Sequence, residues 1–166
     1  MKVVFDVETT GLVAGFDEIL QFSAIDEMGN ILMNTYLKPT RKKTWPDAQR
    51  VNGISPEMVS DAPCFSDVKE DIQKIFDNAS ELITYNGRFD IGFLSAAGIE
   101  FKDIPSFDVM LAFAPIYGEW SNHYGAYKWK KLTTCADYYG YKFNAHDSLE
   151  DVRATLYCYK KIVGIV

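Results

Sequence analysis

A chain of 166 residues, 48% hydrophobic and 24% charged, has an ordinary globular composition and enough length for one domain with a sizeable core. No apolar run approaches the roughly 18 residues that would span a bilayer, and a net charge of −6 argues against a sequence-independent binder of long duplexes. Cys64, Cys135 and Cys158 are odd in number and form no C-x-x-C pair, which disfavours a disulfide framework or a zinc site and leaves them as small buried hydrophobes.

The opening MKVVFDVETT reaches an acid by Asp6 and lacks the apolar core of a secretory signal, so the expected location is cytoplasmic. Residues 2–7 (KVVFDV) read as a β-branched, aromatic strand. Residues 18–25 and 31–37 read as two more, joined through Asp26-Glu27-Met28-Gly29-Asn30 into a hairpin. Residues 40–50 are polar and basic, with Pro46 as a breaker. Ser55-Pro56 predicts a helix start, with serine as cap and proline at the first helical position. Val68, Ile72, Ile75 and Phe76 stand at helical spacing within 67–77, after the cap candidate Ser66.

Residues 81–85 (ELITY) predict a short strand, 88–97 a helix stopped by Gly98, and 107–114 another helix. Residues 115–130 read as an aromatic-rich loop. Residues 131–139 predict a helix ended by Gly140. The last helix, 148–163, carries Leu149, Val152, Leu156, Tyr159 and Val163 on one face. Strands first, then strands alternating with helices, argue for a mixed sheet covered by helices.

Asp6 and Glu8 stand two apart in an apolar segment, so on a strand they share a face. Two adjacent carboxylates raise each other's pKa unless a cation intervenes, and hard oxygen ligands suit Mg²⁺ or Mn²⁺. Taken singly, the pair reads equally well as a solvated strand end. Asp90 falls in the first turn of a helix after the Asn86-Gly87 turn, where the helix dipole alone favours an acid. His146 precedes the last helix, and Asp151 lies near its first turn. Capping by Asp147 and Ser148 would account for part of that segment. Together the three segments bring four carboxylates and an imidazole to strand ends and helix starts. That set suits two divalent cations and a histidine general base, a side chain that titrates near neutral pH.

These segments, FDVETTGL (5–12), NGRFD (86–90) and HDSLEDVRAT (146–155), resemble the three signature blocks of the DEDD exonucleases. The histidine-containing variety fits best, that of DnaQ-like proofreading subunits, ribonuclease T and oligoribonuclease. VNGISPEMVSDAP (51–63) resembles the family's connecting segment, and KLTTCADYYG (131–140) resembles the helix before the third block. The resemblance spans residues 3–160.

It implies an α/β, ribonuclease-H-like fold: a mixed five-stranded sheet, opening as an antiparallel meander, flanked by helices in a single exonuclease domain over 1–166. It implies 3′-to-5′ hydrolysis of terminal phosphodiesters of single-stranded DNA or RNA, releasing nucleoside 5′-monophosphates, in a proofreading, repair or RNA-trimming setting. Asp6, Glu8 and Asp151 would hold one divalent cation, Mg²⁺ or Mn²⁺. Asp6 and Asp90 would serve a second, and His146 would be the general base. The backbone at Thr9 and Thr10, the Leu12 side chain and Phe93 would contact the terminal nucleotide.

Three positions depart from the family pattern. Asn52 stands where many relatives have histidine, and Ser148 and Val152 replace alanines. The implied partner is a single-stranded 3′ end. A polymerase would have to be a separate chain, because this one ends just after its last helix. A nuclease that cuts internally and a catalytically silent module of the same fold remain as alternatives. DNA versus RNA, and monomer versus homodimer, stay open. The aromatics of 115–130, with Lys128, Lys130 and Lys131, read either as a base-stacking surface or as a cover for the core. Arg41, Lys42 and Lys43 read as a solvated loop or a phosphate grip.

Overall fold

The computed structural model describes residues 1–165; Val166, the last residue of the expected domain, lies outside the described residues. The strand signals at the start resolve into β1 (Lys2–Thr9), β2 (Ile19–Asp26) and β3 (Ile31–Tyr36), an antiparallel meander. Two parallel strands extend it, β4 (Glu81–Thr84) and β5 (Ser106–Asp108), giving one five-stranded sheet in the order β3-β2-β1-β4-β5.

The period-two pattern of β1 divides its side chains between two cores. Val3, Phe5 and Val7 face α2 (Phe65–Asp77) and α3 (Gly87–Ala96), packing with Ile72, Phe76 and Leu94. Val4 faces the opposite layer, formed by α4 (Val109–Tyr117), α5 (Leu132–Tyr138) and α6 (Ser148–Ile162), with Phe113, Cys135 and Val152 around it. Asp6 and Glu8 continue the Val4 face. The acids are therefore aimed at the layer that delivers α6. A smaller cluster of Leu20, Trp45, Ile54 and Val59 seats α1 (Pro46–Asn52) beside the meander.

Several sequence expectations shift. Pro46, read as a breaker, starts α1: a proline lacks the N–H that the first helical turn leaves unpaired anyway. The helix expected at Ser55-Pro56 is a run of tight turns over 56–62. Ser55 does accept from the Met58 N–H at 3.4 Å, but Pro63 drives Ala62 away from helical geometry before a second turn can form. The cap of α2 is Cys64 rather than Ser66, because the Asp67 carboxylate reaches back to the Cys64 N–H at 2.8 Å.

The aromatic loop contains a small hairpin, β6 (Trp120–Ser121) paired with β7 (Ala126–Tyr127). Of the predicted face of the last helix, Val152, Leu156 and Tyr159 are buried, whereas Val163 lies past the end of α6 and is exposed. Cys135 and Cys158 are buried and unpaired, as expected, and Cys64 is half-buried.

Candidate active site

β1 and β4 run parallel, so their carboxyl ends open on one edge of the sheet, the usual binding edge of α/β folds. β4 pairs with β1 only as far as Val4. Beyond it, the Val7 N–H donates to Asp90 Oδ1 at 3.1 Å, which pins the first turn of α3 against the end of β1. A register shift at Glu8/Thr9 bends the strand where the acids sit.

α3 can approach this closely because residue 87 is glycine. A Cβ there would lie 2.2 Å from Thr84 Oγ1. Asn86 adopts a left-handed turn, φ 66°, a conformation that asparagine tolerates better than most residues. The turn is held by Asp108, which the sequence reading did not single out. Its carboxylate accepts from the N–H of Asn86 (3.2 Å) and Gly87 (2.9 Å), and also caps α4 through the Met110 N–H at 2.9 Å. An aspartate just before a predicted helix was the available signal.

α6 brings the last pair. Asp147 caps it, accepting from Leu149 and Glu150 N–H at 3.1 and 3.2 Å. Ser148 is fully buried, its hydroxyl 2.5 Å from that of Ser23 on β2, while Ser23 donates on to Asn34. The serine that departs from the family's alanine thus has a partner across the sheet. One turn into the helix, Asp151 Oδ1 accepts the His146 N–H at 3.2 Å and so folds the preceding loop back onto the acids. His146 has a φ of 69° and an exposed side chain.

The outcome is a cleft of about 550 Å³ onto which Asp6, Glu8, Asp90, His146 and Asp151 all open. Ligand atoms of Glu8, His146 and Asp151 lie within 4.8 Å of one another. Burial pushes the Asp6 and Asp90 carboxyls well up from the ordinary carboxylate range; for Asp6 the neighbouring charges of Asp90, Asp151 and Glu8 add to it. Glu8 is raised to about 8, chiefly by burial and then by Asp151, with a hydrogen bond from Asn52 pulling the other way. Asp151 is raised to about 7, first by burial.

Asp6 Oδ2 is buried and has no hydrogen-bond partner. A buried acceptor without a partner, among acids that raise one another's pKa, is satisfied by a cation. The donor set is mostly hard oxygen, which suits a divalent ion of the Mg²⁺ or Mn²⁺ kind. The residues present fit such an ion.

The predicted nucleotide contacts are distributed unevenly. Leu12 is 84% exposed and overhangs both the acid cleft and a neighbouring pocket that includes Thr9, Thr10 and Val51. Thr10 is occupied within the loop on both counts, its hydroxyl accepting the Glu18 N–H at 2.9 Å and its own N–H donating to the Glu18 carbonyl at 2.8 Å. Phe93 is only 3% exposed and lies in the core. The aromatic ring of α3 that opens onto the acid cleft is Phe89, one turn earlier, against which Phe93 packs at 4.8 Å between ring centroids. Phe93 was expected from the family resemblance alone, and Phe89 was not singled out.

Comparison with known proteins bears on this geometry. The model of the RNase_T exonuclease family matches residues 3–159. This chain belongs to that exonuclease family. The family member is 33% identical over 168 residues to the uncharacterized exonuclease CP81 of Escherichia phage 186, covering 93% of this chain and 84% of that protein. It is 29% identical over 171 residues to the PolC-type DNA polymerase III of Bacillus subtilis, covering 97% of this chain but 11% of the polymerase. Against the DNA polymerase III epsilon subunit of Buchnera aphidicola it is 35% identical over 103 residues, 56% of this chain and 43% of that subunit.

Among solved structures, E. coli exonuclease I in its zinc-bound complex with single-stranded DNA superposes with a TM-score of 0.80 at 22% identity, over 99% of this chain and 40% of that one. Exonuclease X bound to 5′-overhanging duplex DNA gives 0.72 at 20% identity, over 99% of this chain and 92% of that one. These likenesses establish the fold of this exonuclease-family chain as ribonuclease-H-like.

Proposed function

We propose that this chain is a metal-dependent 3′-to-5′ exonuclease that releases nucleoside 5′-monophosphates from single-stranded ends. Asp6, Glu8, Asp90 and Asp151 would hold two divalent cations, and His146 would be the general base. The observation that carries the reading is the meeting of Glu8, His146 and Asp151 within 4.8 Å, on the same cleft as Asp6 with its unpartnered Oδ2. Bound there, divalent cations would supply charge stabilisation for the phosphate and a more acidic water.

This chain's own groups account for the rest. His146 stands close enough to Glu8 and Asp151 to take the proton of a water lodged between them. Water oxygen bonds to phosphorus, the bond from phosphorus to the upstream O3′ breaks, the departing O3′ takes a proton from solvent, and the shortened strand leaves with a new 3′-hydroxyl. Asp151 anchors the loop that carries the base by accepting the His146 backbone N–H. Leu12 and Phe89 flank the cleft and offer apolar surface to the terminal base. The polymerase relatives favour DNA as the substrate and raise association with a polymerase as a proposal for this chain too.

The test uses 5′-labelled single strands with free and blocked 3′ ends in Mg²⁺. A ladder from the free end alone is expected. Cuts in both strands would point to an internal nuclease, and binding without cuts to a silent module; either overturns the reading. Matched DNA and RNA strands in the same assay decide the sugar preference.

A further inference from the structure

The β6–β7 hairpin has two unlike faces. Trp120 and Tyr127 are paired across the strands and their rings meet edge-to-face at 5.1 Å. Trp129, two residues past the end of β7, borders the same cavity as Tyr127. The residues that alternate with these lie elsewhere: Glu119 forms salt bridges with both Lys128 and Lys130, and the Lys128 N–H donates to the Glu119 carbonyl at 2.8 Å. That ion-paired side fixes the hairpin. The aromatic side is left open, with Trp120 51%, Trp129 65% and, at the tip, Tyr124 79% exposed.

Exposed indoles and phenols in such density are not explained by the core, since none of Trp120, Tyr124, Tyr127 and Trp129 belongs to a core cluster. Tyr124, Tyr127 and Trp129 border a cavity of about 550 Å³, together with Ser121, Ala126 and Lys128. Trp129 borders that cavity and also the acid cleft. Lys131, exposed at the cleft beside it, has no carboxylate partner among the described residues.

We propose that the aromatic face of this hairpin, with Trp129 at its junction with the acid cleft, is a stacking subsite for the single-stranded polynucleotide upstream of the terminal nucleotide. Two observations select this occupant. The face is continuous with the cleft through one residue, as a strand leaving the cleft requires. It also pairs flat aromatic surface with a free lysine in a chain whose net charge is −6, and aromatic faces with nearby cations suit bases and phosphates of an unpaired strand. Stacking needs splayed bases, so the subsite favours single strands over duplex. The assignment of which nucleotides occupy it rests on the exonuclease reading; the binding itself does not.

The experiment measures binding of a 5′-fluorescein-labelled dT10 by anisotropy, in EDTA so that nothing turns over, for the full chain and for Trp129→Ala, Trp129→Phe and Tyr124→Ala. Trp129→Ala should weaken binding about tenfold, Trp129→Phe should recover most of it, and Tyr124→Ala should have a smaller effect. A second readout is the ratio of kcat/KM for a hexanucleotide over a dinucleotide, which should fall about tenfold in Trp129→Ala. Unchanged binding and an unchanged ratio would overturn the proposal and leave the face to a protein partner. Equal losses on both lengths would overturn it as well, since they would make Trp129 a support of the cleft. If the wild-type chain releases no mononucleotide yet binding still depends on Trp129, the exonuclease reading fails and the subsite stands.

Discussion

At the scale of single residues, the acids differ in what their removal should do. Asp6 has no hydrogen-bond partner for Oδ2 and is surrounded by like charge, so Asp6→Asn relieves repulsion while removing a ligand. Turnover should fall by at least about 10³-fold with no loss of melting temperature in EDTA. Normal cleavage by this variant would remove the acid cluster from the mechanism. His146 is exposed, and its side chain supports no part of the core. His146→Ala should slow hydrolysis by roughly 10²–10⁴-fold, the usual share of a general base, at an unchanged melting temperature. A rate within about threefold of wild type would exclude it as the base. The acids and the histidine were legible as candidates because three separate segments resemble the family's signature blocks, with period two in β1 and helix starts at Asp90 and Asp151 as local support. Phe89 and Asp108 were not, because their part depends on partners distant in the chain.

At the scale of elements, the site depends on how closely two helix starts approach the sheet edge. Gly87 and Asp108 set the approach of α3. A methyl group at residue 87 meets Thr84 Oγ1 at 2.2 Å, so Gly87→Ala must push the turn outward and carry Asp90 away from Val7. Activity should drop more than tenfold, with a stability loss of about 1–3 kcal/mol. Asp108→Ala leaves the Asn86, Gly87 and Met110 N–H groups without their acceptor, a cost of about 1–3 kcal/mol, and should lower activity through the same displacement. Thermal melts and the oligonucleotide assay read both effects; full activity in either variant would show that Asp90 does not need this anchor. The elements misjudged from sequence share a cause. Pro46, read as a breaker, starts a helix and Pro56, read as a helix start, does not, and what separates them is the seat for α1 made by Leu20, Trp45 and Ile54, against the stop imposed by Pro63. The hairpin at 120–127 was read as loop because each strand has only two residues, too few to show alternation.

At the scale of the whole molecule, the cleft makes folding stability depend on pH and on divalent cations together. Glu8 and Asp151, raised by burial to about 8 and about 7, hold protons in the folded metal-free chain that the unfolded chain has already released near its ordinary carboxylate range. Between about pH 5 and 8 the folded state therefore binds more protons than the unfolded one, and stability falls as pH rises. Asp6 and Asp90 are displaced in the same direction by the same burial and steepen the fall. In EDTA the melting temperature should decline across this window, by an amount corresponding to several kcal/mol. Divalent cations bind the ionised carboxylates of the folded chain and displace their protons. Mg²⁺ or Mn²⁺ should thus raise the melting temperature strongly at pH 8 and little at pH 5. Asp6→Asn should flatten both responses, because it removes a buried charge and a ligand at once. A metal-free melting temperature that stays level or rises from pH 5 to pH 8 would mean that the four carboxylates do not share one desolvated pocket, and the cation assignment would fall with it.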